Sequence, residues 1–359
     1  MLILKDLEVD GYERVVEGID ESCGLHCIIA VHNTALGPAL GGTRFYPYTS
    51  REDAITDVLR LAEGMTYKSA VAEIGLGGGK SVILGDPNTM KTPELLRSFG
   101  RAVESLGGLY ICAEDMGTDT ADLAVIRETT RYAVGLDVEG SSGDPGPFTA
   151  WGVYRGTKAV AQELFHSDRL EGKHVAILGV GSVGKRLADH LFWEGAKLTL
   201  ADINSAKVKY LAGRYGAQIV SPNEILSVEC DIFAPCAIGG LINPRTIPQL
   251  RCKAIAGAAN NQLLHIEDGD LLRNKGILYA PDFVINGGGI INVAFELDQE
   301  GYCAVNAKQK VDRIYDTLLA IFKLAREKRM STSVAAEEIA RQKVRQGIGR
   351  REHEVCFHA

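Results

Sequence analysis

Two lysines raise the chemical question. Lys68 closes the segment Gly64-Met-Thr-Tyr-Lys68, and Lys80 follows three glycines in Gly77-Gly-Gly-Lys80. Read as lying just after a helix and just before a strand, the two are twelve residues apart and can face one cleft. One cation can hold a substrate carboxylate. The other, crowded beside it and partly desolvated, has its pKa lowered and can act as a base or polarise water. The glycine run means that backbone comes close to something there. It also invites a phosphate-loop reading, which fails. That pattern needs glycine at position 74, where Ile74 stands, and Ser81-Val-Ile-Leu84 reads as a strand instead of opening a helix. Leu109-Tyr-Ile-Cys-Ala113 reads as another strand, whose end delivers Glu114 and Asp115 for proton transfer beside a lysine.

A second set belongs to a dinucleotide. Gly179-Val180-Gly181-Ser182-Val183-Gly184 sits between an expected strand at 174–178 and an expected helix at 183–193. The chemistry needs a tight turn at Gly179, close approach of backbone to a pyrophosphate at Gly181, and close helix–strand packing at Gly184. The helix N-terminus then offers free N–H groups to the phosphates. Asp202 ends the next strand, eighteen residues after Gly184. A carboxylate there accepts the ribose hydroxyls and repels a 2′-phosphate, which favours NAD over NADP. Asn260 and Asn261, in Gly257-Ala-Ala-Asn-Asn, offer paired amides to the nicotinamide or the substrate. Asn286-Gly-Gly-Gly-Ile290-Ile-Asn292 suggests one more backbone approach across the cleft. A nicotinamide site joined to two cations and a carboxylate implies hydride transfer on a small carboxylate-bearing substrate.

These residues need two scaffolds. A chain of 359 residues is long enough for two domains. The first part reads as mixed α/β, with a buried strand at 25–31, a helix from Arg51 and a helix at 93–106 capped by Thr92. Gly140-Ser-Ser-Gly-Asp-Pro-Gly-Pro147 is the expected hinge, followed by a helix from Thr149 to about Phe165. Strands and helices then alternate, with strands at 174–178, 197–201, 231–234, 254–256 and 277–279, which implies a parallel, doubly wound sheet. Residues 307–346 read as helical throughout.

Composition narrows the partners. There are 39 Lys+Arg against 46 Asp+Glu, a net charge of −7, which argues against a nucleic-acid or anionic-membrane partner. The four apolar residues that open the chain are too few for a signal-peptide core, and no apolar run reaches the ~18 residues of a membrane span. The eight cysteines are scattered, and Cys23-Gly-Leu-His-Cys27 has no second ligand pair. Reduced cytoplasmic thiols, with no metal site, are therefore expected.

Six ordered motifs carry a resemblance in register from about residue 10 to residue 345. They are Gly37-Pro-Ala-Leu-Gly-Gly-Thr-Arg44, Gly64-Met-Thr-Tyr-Lys68, Gly77-Gly-Gly-Lys80, Ala113-Glu-Asp115, Gly257-Ala-Ala-Asn-Asn-Gln262 and Pro281-Asp-Phe-Val-Ile-Asn286. The sequence resembles the Glu/Leu/Phe/Val amino-acid dehydrogenase family, nearest its leucine-acting branch. The resemblance implies reversible oxidative deamination, in which an L-amino acid, NAD+ and water give a 2-oxo acid, NADH and ammonium. Lys68 would bind the substrate α-carboxylate, Lys80 would activate the attacking water, and Asp115 would shuttle protons to and from the amine. Asn261 would help hold the substrate. The cofactor side would comprise Gly179 to Gly184, Asp202, Thr149, Asn260 and Asn286. In the family's glutamate enzymes a lysine reaches the distal carboxylate. The matching position here is Leu40, and Gly41, Met65, Ala113, Val134, Ile290 and Val293 complete an apolar wall. A second carboxylate would be left unpaired there, so a branched-chain substrate is expected, with an aromatic one as the rival and a non-catalytic NAD sensor as the remote alternative. The implied architecture is a substrate domain at 1–139, with 326–359 returning to it, and a Rossmann NAD domain at 140–325 that closes upon it. The implied assembly is a homo-oligomer, commonly an octamer.

Overall fold

The computed structural model describes residues 1–358. Its first sheet has six strands, β1 (Ile3–Asp6), β2 (Arg14–Asp20), β3 (Leu25–Asn33), β4 (Ala39–Tyr46), β5 (Gly77–Leu84) and β6 (Tyr110–Glu114), in the order β1-β2-β3-β5-β4-β6. The first pairs are antiparallel, whereas β4 runs parallel to both β5 and β6. Helix α1 (Arg51–Ala72) covers one face. It starts at Ser50, whose side chain accepts from the Asp53 N–H, and stops at Glu73 in the left-handed region. Its apolar stripe of Ala54, Val58 and Ala62 packs with Val15, Ile28, Ala30 and Val82. The other face is covered by α3 (Pro93–Glu104), which follows the one-turn α2 (Pro87–Met90), and by α4 (Thr120–Arg127). There Leu95, Leu96, Phe99 and Val103 meet Phe45, Ile83, Tyr110 and Leu123.

The glycines of the first part differ from the sequence expectation. Gly77, Gly78 and Gly79 do not precede the strand but form its first half, and Lys68 lies within α1 instead of beyond it. A Cβ on Gly78 would stand 2.0 Å from the Thr66 backbone nitrogen, and one on Gly41 would stand 1.8 Å from the Gly79 carbonyl oxygen. The run therefore lets helix and neighbouring strand backbones come into contact. Glycine's poor strand propensity had hidden the strand.

The second sheet consists of β7 (His174–Leu178), β8 (Lys197–Ala201), β9 (Gln218–Ile219), β10 (Cys230–Pro235), β11 (Cys252–Ile255) and β12 (Leu278–Tyr279). All are parallel, in the order β12-β11-β10-β7-β8-β9. This is the doubly wound Rossmann order read from the far edge. Its helices are α5 (Gly146–Phe165), α6 (Ser182–Trp193), α7 (Ser205–Tyr215), α8 (Asp268–Asn274), α9 (Asp282–Ile285) and α10 (Gly288–Ala294). Helix α5 begins three residues before the expected Thr149, because Pro147 fits a first helical turn. The C-terminal stretch is α11 (Ala304–Asp312), α12 (Ile314–Lys328) and α13 (Thr332–Gln346), broken where Arg329 turns left-handed.

Two compact units result. Among the described residues one comprises 1–144, 292–304 and 340–358, and the other comprises 145–291 and 305–339. The first unit thus ends inside the glycine- and proline-rich segment. The returning chain joins it at 340 instead of 326, and 292–304 belongs with it as well. The reason is visible at Glu296, whose carboxylate accepts from the Gly135 and Ser142 N–H groups, and at Asn292, which donates to the Ser142 carbonyl. No helix among the described residues is long and apolar enough to cross a membrane.

Candidate active site

Lys80 occupies the middle of β5 and is 4 % exposed. Asp115 is the first residue after β6, and β4 runs between these two strands. The two charged groups meet over β4, with Lys80 Nζ 3.1 Å from Asp115 Oδ1. They meet there because Gly42 of β4 has no side chain. A Cβ on it would stand 2.8 Å from Asp115 Cβ and 3.2 Å from Lys80 Nζ.

The turn after β6 is pinned. Thr118 Oγ1 accepts from the Asp115 N–H at 3.0 Å and donates to the Thr43 carbonyl at 2.8 Å. Below it, the Tyr110 hydroxyl donates to the Gly41 carbonyl at 2.7 Å and lies 2.9 Å from Ser81 Oγ. Asp115 has a second cation. Its Oδ2 accepts from Arg44 Nε at 2.9 Å.

Burial pushes the Lys80 ammonium's pKa down and the Arg44 cation adds to this, against the pull of Asp115. Burial pushes the Asp115 carboxyl up, but Lys80 and Arg44 outweigh it and hold the group at about 2. Glu114 beside it is raised by burial and by the carboxylates of Asp144, Asp119 and Asp115. A buried lysine of lowered pKa bonded to an ionised aspartate can exchange protons with a substrate and a water.

The other expected substrate residues of this unit lie on β4, β6 and α1 and at positions 134 and 293. Leu40 and Gly41 are buried in β4, where Gly41 pairs with Cys112 and Gly42 with Ala113 of β6. Met65 and Lys68 are half-buried on α1, whose backbone at Thr66 lies against Gly78, two residues before Lys80. Val134 and Val293 are both buried, and Val293 Cγ2 lies 4.0 Å from a Cβ built on Gly135.

In the second unit the glycine motif has the geometry that a dinucleotide needs. Gly179 has φ +95 and Gly184 packs so closely that a Cβ would stand 1.9 Å from the Gly179 carbonyl oxygen, while Gly181 faces open space. Asp202 is held at the end of β8, with Oδ2 accepting from the Val180 N–H at 2.7 Å and Oδ1 from the Asn204 N–H at 2.8 Å. Ser182 and Val183 open α6. Asn286 Nδ2 donates to Asn260 Oδ1 at 2.7 Å, and its own Oδ1 is buried with no hydrogen-bond partner. An orphaned acceptor of this kind suits a carboxamide N–H. Asn260 and Asn261 are exposed, the latter at φ +50, and Ile290 is half-buried.

Two glycines of the second run, expected to approach across a cleft, serve close packing within this unit. Gly288 packs against the Phe148 carbonyl and Gly289 against Thr149 Oγ1, inside this one unit. All eight cysteines are free thiols, and no group of three or more His, Cys, Asp or Glu among the described residues could hold a metal ion. Sequence reasoning missed Gly42, Arg44, Thr118 and Asp57 of α1, whose Oδ2 accepts from Arg44 Nη1 at 2.8 Å. The signal for Arg44 was its place at the end of Gly37–Arg44, a motif that carried no assigned role.

A Rossmann sheet with a dinucleotide turn, together with a buried lysine–aspartate pair on a mixed sheet, defines an α/β oxidoreductase with two functional units. Comparison with known proteins makes this specific. A family model described as "Glu/Leu/Phe/Val dehydrogenase, dimerisation domain" matches residues 14–132, and one described as "Glutamate/Leucine/Phenylalanine/Valine dehydrogenase" matches residues 198–348. A leucine dehydrogenase of Geobacillus stearothermophilus is 52% identical over 345 residues, covering 96% of this chain and 94% of that one. A valine dehydrogenase of Streptomyces albus is 46% identical over 95% of this chain and 94% of its own. The solved L-tryptophan dehydrogenase of Nostoc punctiforme superposes with a TM-score of 0.83 at 43% identity, covering 94% of this chain and 97% of that one. The chain belongs to the Glu/Leu/Phe/Val dehydrogenase family and is an amino-acid dehydrogenase of this nicotinamide-dependent group.

Proposed function

We propose that the protein catalyses the reversible, NAD-dependent oxidative deamination of branched-chain L-amino acids, with leucine first and valine and isoleucine beside it. The observation that carries the reading is the ion pair of buried Lys80 with half-buried Asp115 across β4, the strand that also carries the buried apolar Leu40. Lys68 binds the substrate α-carboxylate. Asp115 accepts a proton from the substrate ammonium, which frees the nitrogen lone pair to form an imine as the α-hydrogen departs. The bound nicotinamide supplies the acceptor for that hydride. Lys80, in its neutral form, takes a proton from the water that adds to the imine carbon. Asp115 then returns its proton to the nitrogen, and as the C–N bond breaks the new hydroxyl gives its proton to the departing ammonia, so that ammonium and the 2-oxo acid remain. Asn261 steadies the substrate.

The cofactor reading rests on Asp202, whose fixed carboxylate suits ribose hydroxyls and opposes a 2′-phosphate. Gly179 to Gly184 and the α6 N-terminus hold the pyrophosphate, while Thr149, Asn260 and Asn286 attend the nicotinamide end. The wall of Leu40, Gly41, Met65, Ala113, Val134, Ile290 and Val293 offers no partner to a second carboxylate, so glutamate is excluded. A homo-oligomer, an octamer by resemblance, and a cytoplasmic site are part of the same reading. The eight free thiols support the location.

A second reading, the same chemistry on an aromatic amino acid, is favoured by the likeness to the tryptophan enzyme. NADH formation with leucine, valine, isoleucine, phenylalanine, tryptophan and glutamate, each with NAD+ and NADP+, separates the two. Leucine with NAD+ should give the highest kcat/KM. Higher values for tryptophan or phenylalanine would transfer the assignment to the aromatic reading. Lys80→Ala should abolish turnover while NAD binding remains measurable.

A further inference from the structure

We propose that Arg44 is a positioning residue for deamination: it holds one carboxylate oxygen of Asp115 so that the other faces Lys80. This rests on the deamination reading above. The two oxygens of Asp115 are divided between two cations, Oδ1 on Lys80 Nζ at 3.1 Å and Oδ2 on Arg44 Nε at 2.9 Å. Arg44 is fixed in turn. Its Nη1 donates to Asp57 Oδ2 at 2.8 Å, and the same oxygen accepts from the Tyr48 hydroxyl at 2.7 Å. Arg44 comes from β4, Asp57 from α1 and Asp115 from the end of β6, so one guanidinium ties three elements together.

Lysine could not replace it. The planar fork spans both carboxylates at once, whereas an ammonium makes a point contact. With Oδ2 occupied, Asp115 has one oxygen left for proton exchange, on the side of the Lys80 amine. Freed from Arg44, the carboxylate could turn about its own bond and present either oxygen.

The charge has a direction too. Arg44 does not deprotonate in proteins, so it is a constant cation beside two titrating groups. The charged and titratable groups facing the pair are Arg44 from β4, Asp57 from α1, whose other oxygen pairs with the exposed Arg60, and Tyr110 and Glu114 from β6. Arg44 favours neutral Lys80 and ionised Asp115. Loss of its charge raises the pKa of both. Deamination needs neutral Lys80, so the ascending limb of kcat/KM against pH should then move to higher pH.

The test is the pH profile of NAD-linked leucine oxidation for wild type, Arg44→Gln, Arg44→Lys and Lys80→Ala, with thermal unfolding of each. Arg44→Gln should lower kcat about tenfold or more, as expected for a misaligned reacting group, and should move the limb upward. Arg44→Lys should also lower kcat but leave the limb near the wild-type position, because the charge survives and the fork does not. A folded Arg44→Gln with kcat within about twofold of wild type and an unmoved limb would overturn the proposal. Should the glutamine variant not fold, an Arg44→Lys enzyme of wild-type kcat overturns it equally. An inactive Lys80→Ala beside normal Arg44 variants defeats the positioning role and leaves deamination standing. A wild-type chain that oxidises no amino acid defeats deamination, and this proposal falls with it.

Discussion

Gly42 contributes through the side chain it lacks. A methyl group there would press on the Glu114 carbonyl oxygen at 2.6 Å as well as on Asp115 Cβ at 2.8 Å. Overpacking of this kind costs about 1–3 kcal/mol, and the strand cannot move aside because it is paired on both edges. Gly42→Ala should therefore unfold at a modestly lower temperature. A displacement of ~1 Å at a reacting pair can cost on the order of a hundredfold in rate, so it should lose far more activity than stability. Steady-state kinetics beside a melting curve will measure both. Normal kcat in a folded Gly42→Ala protein would show that the spacing of the pair tolerates more than this contact implies. Sequence alone placed Lys80 and Asp115 in one site because each stands at a recognisable strand. It did not show Arg44 reaching Asp115, since that contact joins side chains seventy-one positions apart.

At the scale of elements, the start of α1 is tied to the sheet by a charge. Glu17 of β2 accepts from Arg51 Nε at 2.6 Å and Nη2 at 2.8 Å, and lies 2.9 Å from His26 Nε2. The Arg51 hydrogen bonds hold the Glu17 carboxyl at about 2, below its ordinary 4.5. A depressed carboxylate pKa stabilises the fold above the ordinary value, and this contribution is lost as pH falls through the folded value. Glu17→Gln should thus melt a few degrees below wild type near neutrality, and the difference should shrink between about pH 4.5 and pH 2. Melting curves across that range provide the check, and a gap that does not change with pH would refute the charge argument. The Rossmann half was legible because its strands are apolar runs separated by amphipathic helices, the pattern that period reading detects. The first sheet was less so. Its β4 and β5 are built from glycines whose purpose is close packing, and packing partners distant in sequence leave no periodic trace.

For the whole molecule, the mild negative charge of −7 is a poor guide to a site where Lys80 and Arg44 both lie on one carboxylate. Assembly belongs at this scale. The first family model carries "dimerisation domain" in its description and matches residues 14–132, so self-association should survive dilution to assay concentrations. Light scattering on the eluting peak should give a multiple of the 38.7 kDa chain mass, and a mass of one chain would refute it. The path of the chain has a consequence for its making. The first unit is written in three pieces, and the last two arrive after most of the polypeptide. Until residues 292–304 exist, the Gly135 and Ser142 N–H groups lack Glu296, and until Arg351 exists, the Leu36 and Gly75 carbonyls lack its N–H donors. A ribosome that stalls at residue 291 would carry the first unit without these closing pieces. The order of synthesis makes Arg351 the earliest residue at which the first unit can hold all of these contacts.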